Sequence, residues 1–315
     1  QAGTLSLASN ALTIGGASPT RTSGVIDAAN ASATLFFTGS SAVTLPASIF
    51  TGTVSNLTVN GAGGITIPSD LTITGTLYLQ SVNPSAVKGS LDLTDGTSLK
   101  TLTMGSSAIT TGPGDVTGIV KRTSFTANVP YTFGNQFTTI TFAPGGVYPA
   151  ELHAKISIGT SPAWKTTAIN RLYDFMQTDG EDCFAVIATH YLEEELNDNT
   201  EDELVQWTNG TSGQQPPGPY EWGRSDYSYT DNWVAIANVN IGYFPTTFGK
   251  LENTLSKSEL ASYTWNGSQS SSWTVIENWT PTGSPSTTSN VTIPDASTTP
   301  NSPTLSTSAE VENLS

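Results

Sequence analysis

Between Thr4 and Arg122 apolar and polar residues alternate in short runs: Thr4–Leu7, Ala11–Ile14, Ile65–Ile67, Leu71–Ile73, Thr76–Leu79 and Leu91–Leu93. Alternation with period two sends every second side chain to the same face, the mark of a half-buried strand. Gly15-Gly16, Gly61–Gly64, Asp95-Gly96 and Gly112–Gly114 punctuate the runs, and no ten-residue amphipathic stretch lies between them. Many short strands with frequent turns predict a β-solenoid, β-helix-like, over residues 1–122. Because the runs are unequally spaced, a sandwich made from the same strands is the alternative.

From residue 123 to 260 the runs lengthen. Thr138–Phe142, Leu152–Ile158 and Trp233–Ile236 read as strands of one antiparallel, Ig-like β-sandwich. Thr189–Leu196 reads as strand leading into an acidic loop. Residues 261–315 are Trp-rich, with Thr264–Gly267, Trp273 and Asn278-Trp279 ahead of a Pro/Ser/Thr stretch and Asn290–Pro294. They are expected to be too few and too polar for a core of their own, and to lead into the next solenoid unit. The whole chain is therefore expected to be all-β.

The two ends fit one phrase. Val54-Ser55-Asn56-Leu57-Thr58 is followed by Ala62-Gly63 and Ile65-Thr66-Ile67, and Val311-Glu312-Asn313-Leu314-Ser315 joined to Ala2-Gly3-Thr4-Leu5-Ser6-Leu7 recreates it. A solenoid end left uncovered offers an unpaired strand edge. Head-to-tail continuation between copies is the expectation, covalent or not, with Leu5, Leu7, Leu12, Ile14, Val311 and Leu314 carrying it, and a chance resemblance between low-complexity Thr/Ser/Leu phrases is the alternative.

Charge narrows the partners. Of 315 residues only 12% are charged, with 11 Lys and Arg against 26 Asp and Glu, a formal net charge of −15. The absence of a basic stripe argues against nucleic acid. No run approaches 18 apolar residues, so no membrane insertion is expected, and any secretion signal is expected to have been removed or to lie elsewhere. The lone cysteine, Cys183, sits in an apolar run and is expected to be buried.

Ile169–Asp174, His190–Asn197 and Glu203–Trp207 resemble a β-sandwich module of large secreted proteins of Bacteroidetes-type bacteria, and Trp265–Gly267 with Trp273, Asn278-Trp279 and Pro285 looks like the repeat opening that accompanies it. The resemblance covers roughly the second half of the chain. It implies an extracellular or cell-surface role in adhesion, gliding or matrix building, with no catalytic residues to carry over and with anchoring supplied elsewhere.

Chemistry is sparse. His153 and His190 have no histidine neighbour at metal-binding spacing, and no nucleophile elbow or phosphate-cradling loop occurs. A polysaccharide lyase or glycosidase would need acids such as Asp92, Asp95, Asp174 and Asp182 to pair, and the basic residues of the first half, Arg21, Lys88, Lys100, Lys121 and Arg122, do not cluster in sequence. No cofactor is required. Glu195, Asn197, Asp198, Asn199, Glu201 and Asp202 concentrate the hard oxygen ligands that a structural calcium takes, with a solvated acidic loop as the alternative. Trp207, Tyr220, Trp222, Tyr227 and Trp233 surround Gln214–Pro219 and could stack on surface glycans or dock a neighbouring copy, with core packing as the alternative. A multivalent glycan-binding module is thus the second functional reading.

Overall fold

The computed structural model describes residues 2–80, 90–210, 218–287, 289–306, 308–311 and 313–315. Lys88, Gln214–Pro217 and Glu312 lie outside the described residues. Strands dominate; among the described residues the only helical elements are four three-residue 3₁₀ turns. The chain forms two compact units, Gln1–Lys257 and Ser258–Ser315.

The first unit opens as three parallel ladders visited in turn. The first ladder stacks Thr4–Ser6, Val25–Ala28, Phe50–Val54, Leu71–Ile73, Thr101–Met104 and Val116–Arg122. The second stacks Ala11–Ile14, Thr34–Phe37, Asn56–Val59, Thr76–Leu79 and Ile109–Thr111. The third stacks Val43–Thr44, Ile65–Thr66, Leu91–Asp92 and the start of Val116–Arg122. Gly15, Gly39 and Gly61 follow the second ladder on successive rungs. A Cβ on Gly61 would meet the Gly39 carbonyl oxygen at 2.1 Å, so glycine there lets the turns lie against one another.

Parallel in-register pairing turns each alternating run into columns of like side chains. On the second ladder Leu12, Leu35, Leu57 and Leu77 form one column and Ile14, Phe37, Val59 and Leu79 the next. On the third, Val43, Ile65, Leu91 and Val116 align. On the first, Ala28, Val54, Ile73 and Met104 align and end on Arg122. Leu35, Leu57, Leu77, Val54, Ile73 and Leu91 are fully buried, so the columns are the core.

Val116–Arg122 changes the architecture. It pairs in parallel with Thr101–Met104 on one side and antiparallel with Glu151–Ile158 on the other. The sheet continues through Arg171–Thr178, Leu251–Lys257, Leu204–Gly210 and Gly218–Gly223, all antiparallel. A second antiparallel sheet holds Pro130–Thr132, Thr139–Phe142, Phe184–His190, Trp233–Asn240 and Asp226–Ser228. The acidic segment after His190 forms the turns Glu193–Glu195 and Glu201–Glu203. Cys183 is buried.

The second unit corrects the expectation of a coreless tail. Trp265, Trp279 and Val291 are buried together, with Trp265 and Trp273 both edge-on to Trp279. Asn278 organises the turn, accepting from the amides of Gln269 and Ser270 and donating to the Ser272 carbonyl. Ala261–Trp265, Ser289–Thr292 and Asn313–Leu314 form a parallel ladder, and Ser272 and Thr304 bridge in parallel. Three aromatic rings supply the buried surface that the count of apolar residues understated.

A column interior and a column end should respond differently to truncation. Leu57→Ala is expected to cost about 2–5 kcal/mol, whereas Leu5→Ala, at a 53% exposed position, is expected to change stability by roughly 0.5 kcal/mol or less. Urea denaturation of both variants checks this.

Candidate assembly edges and the buried charge cluster

The columns end in two different ways. At the Val116–Arg122 end, Arg122 takes the inward position above Met104 and is 1% exposed. Its guanidinium donates to the carbonyls of Gly105, Ala108 and Thr132 and to Thr132 Oγ1. The side chain thus satisfies backbone acceptors where the column stops, and burial lowers its pKa to about 10.

At the opposite end, among the described residues, no charged side chain takes an inward position over the columns. Thr4–Ser6 is an edge strand exposed along its length, and Leu5 stands at the end of the register Leu5, Ile26, Phe50. Leu12 and Ile14, which end the second-ladder columns, are half-buried, while Leu7 is buried. Leu5, Arg21, Ile26 and Ile49 line a cleft of about 540 Å³ at this edge. The Arg21 guanidinium donates to the carbonyls of Gly24, Ala47 and Ser48.

The second unit also has an open edge. Tyr263, Val291 and Leu314 share one register, and Val291 is buried, so this column points inward. Leu314 is nevertheless 66% exposed, because among the described residues no strand stacks on it. Leu305, beside the Ser272–Thr304 bridge, is 53% exposed, and Val311 is half-buried against the Trp core. The six residues singled out for assembly therefore lie at the two open edges, with Leu7 and Val311 more enclosed than the rest.

The termini do not correspond ladder by ladder as the repeated phrase suggested. It equates Leu5–Leu7 with Ile65–Ile67, yet Thr4–Ser6 lies on the first ladder and Ile65–Thr66 on the third. Phase around the rung is set by turn lengths, which alternation does not encode.

The acidic segment is used by the fold. Glu195 makes a two-pronged contact with Arg171, at 2.7 and 3.1 Å. Asn197 and Asn199 donate to the carbonyls of Thr166, Ala168 and Thr167, and Glu201 accepts from Tyr191. Asp198 and Asp202 are exposed. Among the described residues no three His, Cys, Asp or Glu converge as a metal site. Glu195, Asn197, Asn199 and Glu201 are thus each engaged by bonds within the fold.

The members of the aromatic set differ in exposure. Trp207 is buried, with Lys165 Nζ 3.6 Å from its ring centre. Tyr220, Trp222 and Trp233 are half-buried, and Trp222 packs on the main core. Tyr227 is exposed, stacked on Tyr229 and beneath the Arg224 guanidinium. Of the acids weighed for catalysis, Asp92 accepts from Thr117, Asp95 pairs with Lys100, Asp174 pairs with Lys155, and Asp182 lies 3.5 Å from the Asn240 amide.

One buried cluster was not anticipated. Arg171, fully buried, donates to both oxygens of Asp115 at 2.9 and 2.7 Å as well as to Glu195. Tyr173 donates to the His190 carbonyl at 2.5 Å, and His190 Nδ1 lies 3.8 Å from Asp115 Oδ1, outside hydrogen-bond reach. Burial pushes the Asp115 carboxyl upward, but Arg171 and His190 together outweigh it and hold the group well below the usual carboxylate range. Burial also opposes the Arg171 charge, and Asp115 and Glu195 more than restore it. Tyr173 is pushed up to about 12 by burial, with Asp115 adding to the shift. The cluster ties the end of the parallel ladders to the antiparallel layers. Its sequence signal was parity: Arg171 occupies the inward face of the run it opens, with Tyr173 and Phe175.

Comparison with known proteins gave no match to a family model, a curated protein or a solved structure.

Removing one partner of this cluster leaves a buried charge uncompensated. Asp115→Asn is expected to cost about 3–5 kcal/mol. Because the folded-state pKa of Asp115 is depressed, its contribution is complete above the unfolded value of about 3.9 and is lost as pH falls through the folded value. Denaturation at neutral pH and below pH 4 should show a large gap between the proteins that narrows with acid.

Proposed function

We propose that this chain is a structural subunit of an extracellular filament or adhesin shaft, whose copies join head to tail by strand continuation. In this reading residues 1–122 are a β-solenoid, the antiparallel layers are a β-sandwich that closes one end of it, and the Trp-rich unit begins the next solenoid segment. The observation that carries the reading is the pair of inward-facing columns ending on exposed leucines, Leu5 and Leu314.

A column end on a parallel edge needs both an apolar cover and backbone partners. A second copy of this chain supplies both. Charge favours it too: the second unit holds Glu259, Glu277, Asp295, Glu310 and Glu312 with no Lys, Arg or His, a formal −5, while residues 1–69 carry only Arg21 and Asp27 and balance to zero. Arg21 is exposed at the cleft beside Leu5. An acidic edge therefore meets a neutral edge that presents one cation. Because one patch meets a different patch, the contact repeats without closing and generates a fibre. Extracellular placement rests on the Thr/Ser/Gly/Asn-rich, weakly charged composition.

Electron microscopy and sedimentation velocity over a concentration series test this. The intact chain should form linear species with a regular axial repeat, and Leu5→Lys or Leu314→Lys should return it to single particles while leaving thermal unfolding nearly unchanged. Single particles at every concentration, or lysine variants that assemble equally well, would overturn the reading.

A further inference from the structure

The register that stacks leucines on the inner face of the second ladder also orders its outer face. Thr13, Phe36, Thr58, Tyr78 and Thr111 form one outward column. Phe36 and Tyr78 are half-buried, and among the described residues neither belongs to an apolar cluster. A Cβ on Gly112 would meet Tyr78 Cε2 at 3.2 Å, so glycine there lets the ring settle against the next rung.

The two aromatic positions stand two rungs apart, about 9.5 Å along the stacking direction, with Thr58 between them. That distance is close to the length of two sugar units in an extended β-1,4-linked chain, where every second ring presents the same face. Neutral hydrogen-bonding groups flank the column on both sides. On one, Thr34 pairs with Asn56, whose side chain accepts from the Thr76 amide. On the other, Thr38, Asn60 and Gln80 prolong the ladder, their amides donating to the carbonyls of Ile14, Phe37 and Val59. The segments 11–15, 34–38, 56–60, 76–80 and 109–112 contain no Lys, Arg, His, Asp or Glu.

We infer that this face binds a neutral, extended β-1,4-linked polysaccharide running along the stack, with one sugar on Phe36 and the next but one on Tyr78. The rings take the apolar faces of the sugars, and the flanking hydroxyls and amides meet their hydroxyl groups. An acidic glycan fits poorly, because its carboxylates would meet no cation on this face in a chain of formal charge −15. A protein partner fits poorly as well, since two half-buried rings separated by a threonine offer little contiguous apolar area. The face lies along the flank of the ladders, so the inference does not rest on the head-to-tail reading.

Isothermal titration of the full-length protein tests it, using dimers and hexamers of β-1,4-linked glucose, mannose and N-acetylglucosamine, and a galacturonate hexamer. A hexamer reaches both rings and a dimer only one, so at least one neutral hexamer should bind about tenfold or more tighter than its dimer. Phe36→Ala and Tyr78→Ala should each remove that gain. The double exchange Thr58→Tyr with Tyr78→Thr keeps two aromatic rings but sets Phe36 and the new ring on adjacent rungs, and should remove it too. Circular dichroism and thermal unfolding should be unchanged in all of these outward-facing variants, and Tyr227→Ala, at the other exposed aromatic, should bind as the parent does. No binding of any neutral hexamer, preference for galacturonate, or binding that survives the ring exchange would overturn the inference. So would sedimentation in which Phe36→Ala weakens self-association, which would assign the face to a second copy.

Discussion

The fold depends on in-register parallel stacking, which converts short alternating runs into continuous apolar columns. Each rung alone buries little: its strands are two to five residues long. Stacked, Leu35, Leu57 and Leu77 shield one another above and below, and all three become inaccessible to water. The same geometry makes the ends costly. A terminal member of a column has a neighbour on one side only, and its backbone lacks a partner strand.

The two ends of the ladders answer this constraint differently. At one, Arg122 fills the inward position and binds four backbone or side-chain oxygens, and Val116–Arg122 hands the sheet over to antiparallel pairing. Asp115, just ahead of that strand, is held by Arg171 from the antiparallel layer. Such a cluster contributes through fixed geometry rather than net stabilisation, since desolvation offsets much of the attraction. At the other end, Leu5 and the half-buried Leu12 and Ile14 remain uncovered. In the second unit Leu314 repeats that situation on a ladder of only three strands.

The sequence showed which residues face inward wherever alternation was regular, as in Leu71–Ile73 and Thr76–Leu79, and it marked Gly15 and Gly61 as turns. It did not show phase around the rung, because Thr4–Ser6 and Ile65–Thr66 look alike as strings and differ only in the turns that lead to them. Nor did it show Asp115 with Arg171, which are 56 residues apart. Arg122 and Arg171 were nonetheless visible as charges at inward parity, a pattern that calls for a buried partner. Glu195 illustrates the converse: an acidic run suggested a metal, and the arginine that takes its carboxylate lay in another strand. The Trp-rich unit was underestimated because its core is three large rings rather than many aliphatic residues.

The account stands on the claim that the two exposed column ends cover each other. Amide hydrogen exchange across a concentration series tests it most directly, comparing the peptides that contain Thr4–Ser6 and Asn313–Ser315 with the interior strand Asn56–Val59. Protection at both edges should rise together with concentration while the interior strand, already paired on both sides, stays constant. Edges that exchange equally fast at every concentration would contradict it, as would one edge gaining protection while the other does not.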